Sequence, residues 1–214
     1  MSSANGLRET VAKLLQVAPE EVTAESSLAA FSSSLAGTRL GLALKRIGLQ
    51  LPGNQAPATF GALEALLNGG VAPVAAVTAV VPVAAASGLQ VGLDIQEIDA
   101  LPVADDYWEH EFYHEIFDRS EIAYAVIQAE PRAHLAGFWC AKEALRKCDA
   151  SFAGVGFGSI AVSHDAGGRP CLLSVGAGGR VRLPHALSIS HSGRMASAVV
   201  VSLQPARPAL TSLR

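Results

Sequence analysis

The run Phe138-Trp139-Cys140-Ala141-Lys142-Glu143-Ala144-Leu145-Arg146-Lys147 constrains the chain more than any other stretch. It holds good helix formers and neither glycine nor proline, and Pro131 upstream stands where a first helical turn tolerates proline. The pattern predicts one helix from about Pro131 to Cys148. Leu135, Phe138, Ala141, Leu145 and Cys148 recur at helical spacing and make one buried stripe. Glu143 falls on the opposite side, with Trp139 and Cys140 one turn before it and Lys147 one turn after. A carboxylate emerging from a half-apolar surface wants a partner. A surface Glu143–Lys147 pair is the plain explanation, and what shifts the weight lies elsewhere in the chain.

The 214 residues suffice for one large domain or two small ones. Half are apolar and 16% charged, which suits a packed soluble protein and not a disordered one. A formal charge of -3 gives no sign of the clustered basic surface that nucleic acid requires, and no nucleic-acid partner is expected. Cys140, Cys148 and Cys171 are odd in number and lack metal-ligand spacing, so they read as reduced thiols of a cytoplasmic protein. Residues 1–13 have no apolar core of the signal-peptide kind. Residues 71–87 are rich in Ala, Val and Pro; Pro73 and Pro82 argue for a linker and against a membrane span.

Before that linker the pattern predicts short helices. Leu7, Val11, Leu14 and Leu15 mark one that ends near Pro19. The hydroxyls of Ser32, Ser33 and Ser34 can cap a second carrying Leu35, Leu40, Leu44 and Ile47 toward Gly48. Thr59 is placed to cap a third through Phe60, Leu63, Leu66 and Leu67, with Gly69-Gly70 as its stop. Ser34-Leu35 with Leu40 and Leu44, then Leu51-Pro52, then Thr59, resemble an acyl or peptidyl carrier protein over residues 7–67. The resemblance implies that Ser34 carries a 4'-phosphopantetheine arm. Ser33 replaces the family's aspartate, and Arg39, Lys45 and Arg46 stand where carriers show acidic residues. A modified carrier and a degenerate, structural carrier fold are both open.

After the linker, residues 89–95 alternate and are rich in branched side chains, so they read as a strand in which Gly92 admits close approach of another backbone. Asp94 interrupts it, either binding a cation or donor or capping a strand end. Residues 107–124, with their acidic and aromatic side chains, read as helical; His110 and His114 lack a third metal ligand and fit a solvated face. Residues 157–163 and 170–174 read as strands joined by a turn at 165–169, residues 175–183 as further turns, and residues 186–190 and 196–202 as two strands around His191.

Gly92-Leu93-Asp94-Ile95, then Trp139-Cys140-Ala141-Lys142-Glu143-Ala144 with Lys147, then Ser188-Ile189-Ser190-His191, together resemble the 4'-phosphopantetheinyl transferase superfamily. Leu135-Ala136-Gly137 and Gly168-Arg169-Pro170 extend the match, whose size is that of the small holo-acyl-carrier-protein synthase type. The resemblance implies an α+β fold, an antiparallel sheet packed with a long helix. It also implies transfer of the 4'-phosphopantetheine arm from coenzyme A to a carrier serine, with 3',5'-ADP released. Asp94 and Glu143 are implied as ligands of Mg2+, or of Mn2+, a hard cation that needs few carboxylates beside phosphate and water. Lys147 is implied to face the phosphates, with Lys142 less certain; His191, Ser190, Gly168 and Pro170 are implied on the coenzyme A side. The serine proton goes to a metal-bound water or to Glu143.

Small-type members carry an arginine where Phe138 stands and a basic residue near Asp99-Ala100. The organisation expected is a carrier-like helical domain at 1–70, the linker at 71–87, a transferase domain at 88–204 and a tail at 205–214. The resemblance further implies a homotrimer and a carrier-protein partner, either separate or the chain's own N-terminal part. The alternative is a catalytically degenerate interaction module of a fatty acid or polyketide synthase system. A hydrolase built on Ser190-His191 lacks an orienting acid and a nucleophile turn.

Overall fold

A computed structural model of the chain describes residues 3–31, 34–51, 56–68 and 88–203, without the side chains of residues 3–5 and 34. The expected linker at 71–87, the tail at 205–214, the Gly69-Gly70 stop, Pro52, Ser32, Ser33 and the Ser34 hydroxyl lie outside the described residues. The chain divides into two compact units, Met1–Val81 and Pro82–Arg214.

The first unit contains α1 (Ser3–Leu15), α2 (Ser34–Arg46) and α3 (Phe60–Leu67), with a 3-10 turn at Pro19–Glu21 where proline and two glutamates end the first helical pattern. Leu7, Val11, Leu28, Leu40, Leu44, Phe60 and Leu63 form its core. Thr59 caps α3 as its position predicts, its hydroxyl accepting the Ala62 N–H at 3.3 Å. Past the end of α2 the chain turns at Gly48, whose φ of 78° lies in the left-handed region. Ile47, expected on the packed face, is exposed instead.

The second unit runs β1 (Leu89–Glu97), α4 (Glu111–Ile116), α5 (Arg119–Val126), α6 (Pro131–Cys148), β2 (Ile160–His164), β3 (Pro170–Gly176), β4 (Gly179–Arg182), β5 (Ala186–Ser192) and β6 (Met195–Leu203). Two antiparallel three-stranded sheets result, ordered β1-β6-β5 and β2-β3-β4. The α+β class and the eighteen-residue helix expected at Pro131–Cys148 are both present. The long helix α6 lies across β1, β6 and β5 and also meets α5 and β2.

That double contact corrects one expectation. The side of α6 that was to be half-exposed is buried as well: Trp139, Cys140, Lys142 and Glu143 are all within the packed interior. Trp139 stacks obliquely on Phe157 and approaches Phe112, so aromatics of the 157–159 turn and α4 cover what periodicity alone left to solvent.

Two further corrections follow from turn chemistry. Residues 107–124 do not make one helix, because Asp118 starts a new one. Its carboxylate accepts the Ser120 N–H at 2.8 Å while Glu121 accepts the Asp118 N–H at 2.8 Å, a reciprocal cap that breaks the segment into α4 and α5. Residues 175–183 contain strand β4, paired with β3 from Leu173–Arg182 to Gly176–Gly179, with Gly179 at φ 102° closing the turn. Residues 157–159 form a 3-10 turn, and the strand begins at Ile160.

On β1, Gly92 and Asp94 face α6, while Leu89, Val91, Leu93 and Ile95 alternate onto the other face and are exposed. Across the register these four stand opposite Leu203, Val201, Val199 and Ser197 of β6, which gives the sheet a broad apolar outer surface. Among the described residues, no helix is long and apolar enough to cross a membrane.

Candidate active site

Gly92 sets the site. A Cβ there would collide with the Ala144 carbonyl oxygen and fall 2.6 Å from Cys148 N, so only glycine lets β1 lie against the backbone of α6. Two residues on, on the same face, Asp94 is thereby brought to α6. Lys147 donates to Asp94 Oδ1 at 2.7 Å and to the Leu93 carbonyl at 3.1 Å. The partner of Lys147 is therefore Asp94 from another element, and the i,i+4 glutamate is not used.

Glu143 is instead beside Arg146, at 3.5 Å. The Arg146 guanidinium lies 3.5 Å over the Phe157 ring and also donates to the Val155 carbonyl. The Cys140 thiol hydrogen-bonds with Asp94, feels the charge of Glu143, and donates to the Ala196 carbonyl at 3.5 Å. Burial, then the Asp94 carboxylate, push this thiol far above its ordinary range, so it stays a neutral, inert SH. The charges of Asp94 and Glu143 are thus both felt at Cys140, and Lys147, paired with Asp94, is half-exposed.

Lys142 does not take part. Its ammonium is 0% exposed and donates to Glu121 Oε2 at 2.7 Å, the Ile116 carbonyl at 2.8 Å and the Phe157 carbonyl at 3.2 Å. A lysine with its three donors spent inside the core has none for a phosphate, and the expectation that Lys142 binds coenzyme A is corrected on that ground. Burial pushes the Glu121 carboxyl up and the Lys142 ammonium down, each opposed by the other's charge.

The coenzyme A side expected from sequence falls in two places. His191, near the end of β5, stands 5.0 Å from the His134 ring of α6. Gly168, at φ 76°, completes a turn in which Asp165 accepts the N–H groups of Gly167 and Arg169. Pro170 pairs with His164, whose ring stacks on Tyr124 at 4.5 Å. Tyr124 also meets His134 and Phe138, so Pro170, His164, Tyr124, His134 and His191 are linked in sequence around one end of α6. Ser190 alternates onto the opposite sheet face from His191, exposed and away from α6. His110 caps α4 through its ring nitrogen, which accepts the Phe112 N–H at 3.2 Å.

Glu121, Arg146, His134 and His164 were not singled out from sequence. The reciprocal cap Asp118-x-x-Glu121 was legible there, and the placement of the other three depends on contacts between distant elements. Among the described residues, no group of three or more His, Cys, Asp or Glu side chains is arranged to hold a metal ion.

Residues 90–199 match the model of the 4'-phosphopantetheinyl transferase superfamily. The chain belongs to that superfamily. The transferase unit is 34% identical over 117 residues to the holo-[acyl-carrier-protein] synthase of Clostridium acetobutylicum, a match over 52% of this chain and 94% of that one. It is also 34% identical over 118 residues to the corresponding synthase of Chlorobaculum tepidum, over 53% and 97%. A solved structure described as the Chronobacterium ammoniagenes ACPS-CoA complex matches at 28% identity over 53% of this chain and 95% of its own, with a TM-score of 0.42. The transferase motifs read in the sequence lie within the matched region, and the helical unit before it lies outside.

Proposed function

We propose that the transferase unit moves the 4'-phosphopantetheine arm of coenzyme A onto a serine hydroxyl of a carrier protein. The observation that carries this is Asp94 of β1 paired with Lys147 of α6, one turn from Glu143, with both carboxylates acting on Cys140, in a chain that belongs to the superfamily. The serine oxygen forms a new bond to the phosphorus bearing pantetheine, the pyrophosphate P–O bond breaks, and 3',5'-ADP leaves with the electron pair. Glu143, a carboxylate acceptor, takes the serine proton. Lys147, free to turn at 51% exposure of its side chain, carries positive charge to the leaving phosphate oxygen.

Two carboxylates supply hard oxygen donors that fit Mg2+ or Mn2+, each of which needs further oxygens from pyrophosphate and water. Asp94 and Glu143 would hold the ion, which would supply charge neutralisation of the pyrophosphate. Arg146 and Lys147, the present partners of Glu143 and Asp94, would share those carboxylates with the ion.

The finer readings share this basis. The first unit is carrier-like, at residues 1–70, joined through 71–87 to the transferase domain at 88–204, and Ser34 at the start of α2 is the proposed internal acceptor beside any separate carrier protein. The apolar outer face of β1 and β6 is the surface through which the chain forms a homotrimer. The protein works in the cytoplasm, where coenzyme A and fatty acid or polyketide carriers occur. Phe138, buried where the resemblance calls for arginine, favours the second reading, an inert interaction module. Incubation of the full chain with coenzyme A and Mg2+, followed by intact-mass spectrometry of the chain and of an added apo acyl carrier protein, separates them. A pantetheine-arm mass gain on either protein supports transfer, and its absence from both leaves the inert module.

A further inference from the structure

The two carboxylates proposed to hold the metal each have a cation beside them, and the two cations differ in freedom. Lys147 donates to Asp94 Oδ1 at 2.7 Å from a side chain that is 51% exposed. Its flexible stem can carry the ammonium into solvent and leave Asp94 to another partner. Arg146 lies 3.5 Å from Glu143 Oε1, and its side chain is only 10% exposed against 8% for the glutamate. The two residues stand three apart on α6, so the helix itself keeps them adjacent.

The guanidinium is fixed by groups other than Glu143. Its carbon sits 3.5 Å from the centroid of the Phe157 ring, within range of a cation–π contact. Its Nη2 donates to the Val155 carbonyl. Phe157 is buried and packs on Trp139 at 4.7 Å between ring centroids, so the ring that carries Arg146 is itself backed by core. The Nε of Arg146 is buried and has no acceptor among the described residues. An unmet buried donor is costly, and turning the side chain out to water would relieve it. The guanidinium nevertheless stays under the ring, which shows how firmly Phe157 and Val155 hold it. Its charge is permanent, because arginine does not lose its proton in proteins.

These four side chains cancel in charge, Asp94 against Lys147 and Glu143 against Arg146. A divalent cation therefore meets two carboxylates whose charge is already matched. Lys147 has open solvent to move into, whereas Arg146 would have to abandon Phe157 and Val155. The charge of Arg146 thus remains beside Glu143 in the metal-bound state, where it opposes the cation through a partly buried, weakly screened path.

We propose that Arg146 is a positioning residue that holds Glu143 in place and weakens the grip of the free chain on Mg2+ or Mn2+. A lasting hold then needs the further oxygens that a pyrophosphate brings to the cation. The inference rests on the transferase reading, which supplies Asp94 and Glu143 as the metal ligands.

The test is titration of Mn2+ into the full chain without coenzyme A, with free Mn2+ read by electron paramagnetic resonance. Arg146→Gln removes the charge and keeps a donor for the Val155 carbonyl, and Arg146→Lys keeps the charge. Groups that contact metal ligands change metal affinity by about 10–100-fold, so Arg146→Gln should bind Mn2+ at least about tenfold more tightly than the parent chain. Arg146→Lys should stay within about threefold of the parent. Phe157→Leu frees the guanidinium to leave Glu143, tightens Mn2+ binding in the same direction, and replaces Arg146→Gln if thermal unfolding shows that variant to be unfolded. Coenzyme A should tighten Mn2+ binding to the parent chain. An Arg146→Gln affinity equal to or weaker than the parent's, or a gain in Arg146→Lys as large as in Arg146→Gln, overturns the role of Arg146. Loss of Mn2+ binding in Asp94→Ala and Glu143→Ala would in that case leave the metal ligands in place. No Mn2+ bound by any of these proteins, with or without coenzyme A, overturns the metal reading and the inference with it.

Discussion

Replacement of Glu121 by alanine is expected to be the most damaging single change in the transferase unit outside its active site. Glu121 accepts hydrogen bonds from Lys142 Nζ at 2.7 Å, from Val162 N at 2.8 Å and from Asp118 N at 2.8 Å, all without solvent access at the glutamate. Truncation strands a buried ammonium that keeps only the Ile116 and Phe157 carbonyls, and leaves two backbone N–H groups without their acceptor. Removing one partner of a buried ion pair costs about 3–5 kcal/mol. At about 4 °C per kcal/mol for a domain of this size, the melting temperature falls by about 12–20 °C. The double replacement Glu121→Leu, Lys142→Met removes both charges together and recovers most of that loss. Thermal unfolding followed by tryptophan fluorescence measures all three proteins. The same samples, assayed for arm transfer, separate structural from ligand-binding roles: the folded double variant keeps activity, because Lys142 faces the core. A Glu121→Ala loss below about 1 kcal/mol, or a folded double variant as inactive as Lys147→Ala, refutes the reasoning.

The other expectations concern packing, assembly and pH. Gly92→Ala forces a methyl into the Ala144 carbonyl and Cys148 N, and separates β1 from α6; unfolding free energy drops by about 1–3 kcal/mol or more, and activity falls with it as Asp94 moves, measured by urea titration and transfer assay. Leu93→Glu or Val91→Lys on the exposed face of β1 puts charge into the proposed trimer surface, and light scattering should show a smaller particle than the trimer proposed for the parent chain. Asp165 is held below the usual carboxylate range, chiefly by the Arg169 backbone N–H. Because the folded value is depressed, this contribution is complete above the unfolded value of about 3.9 and is lost as pH falls through the lower folded value. Asp165→Asn should therefore flatten the loss of stability below about pH 4 in acid titrations followed by circular dichroism.

Local chemistry made much of this molecule legible in its sequence. Pro131 and the unbroken run to Cys148 fixed the ends of α6, Thr59 announced the start of α3, and Gly92 signalled a close backbone approach that the Ala144 and Cys148 contacts explain. What escaped depends on distant partners. Periodicity cannot show that α6 is covered on two sides, so it puts Trp139, Cys140 and Glu143 on a surface they do not occupy. Lys142 and Lys147 are both lysines near Glu143 in sequence, yet one is sealed against Glu121 from α5 and the other reaches Asp94 on β1. The break at Asp118 and the strand β4 were missed because a capping aspartate and a glycine-rich turn look like loop until their hydrogen bonds are seen. His134 and His164 carry no motif, and only the fold brings them to His191.

The most direct test of the transferase reading is intact-mass spectrometry of an apo acyl carrier protein after incubation with this chain, coenzyme A and Mg2+, alongside the Asp94→Ala and Glu143→Ala variants. The account predicts one pantetheine-arm mass gain with the parent chain, dependent on the metal, and at least a hundredfold slower gain with either variant. Equal rates for the variants, or no gain on the added carrier or on the chain itself with the parent, would contradict it.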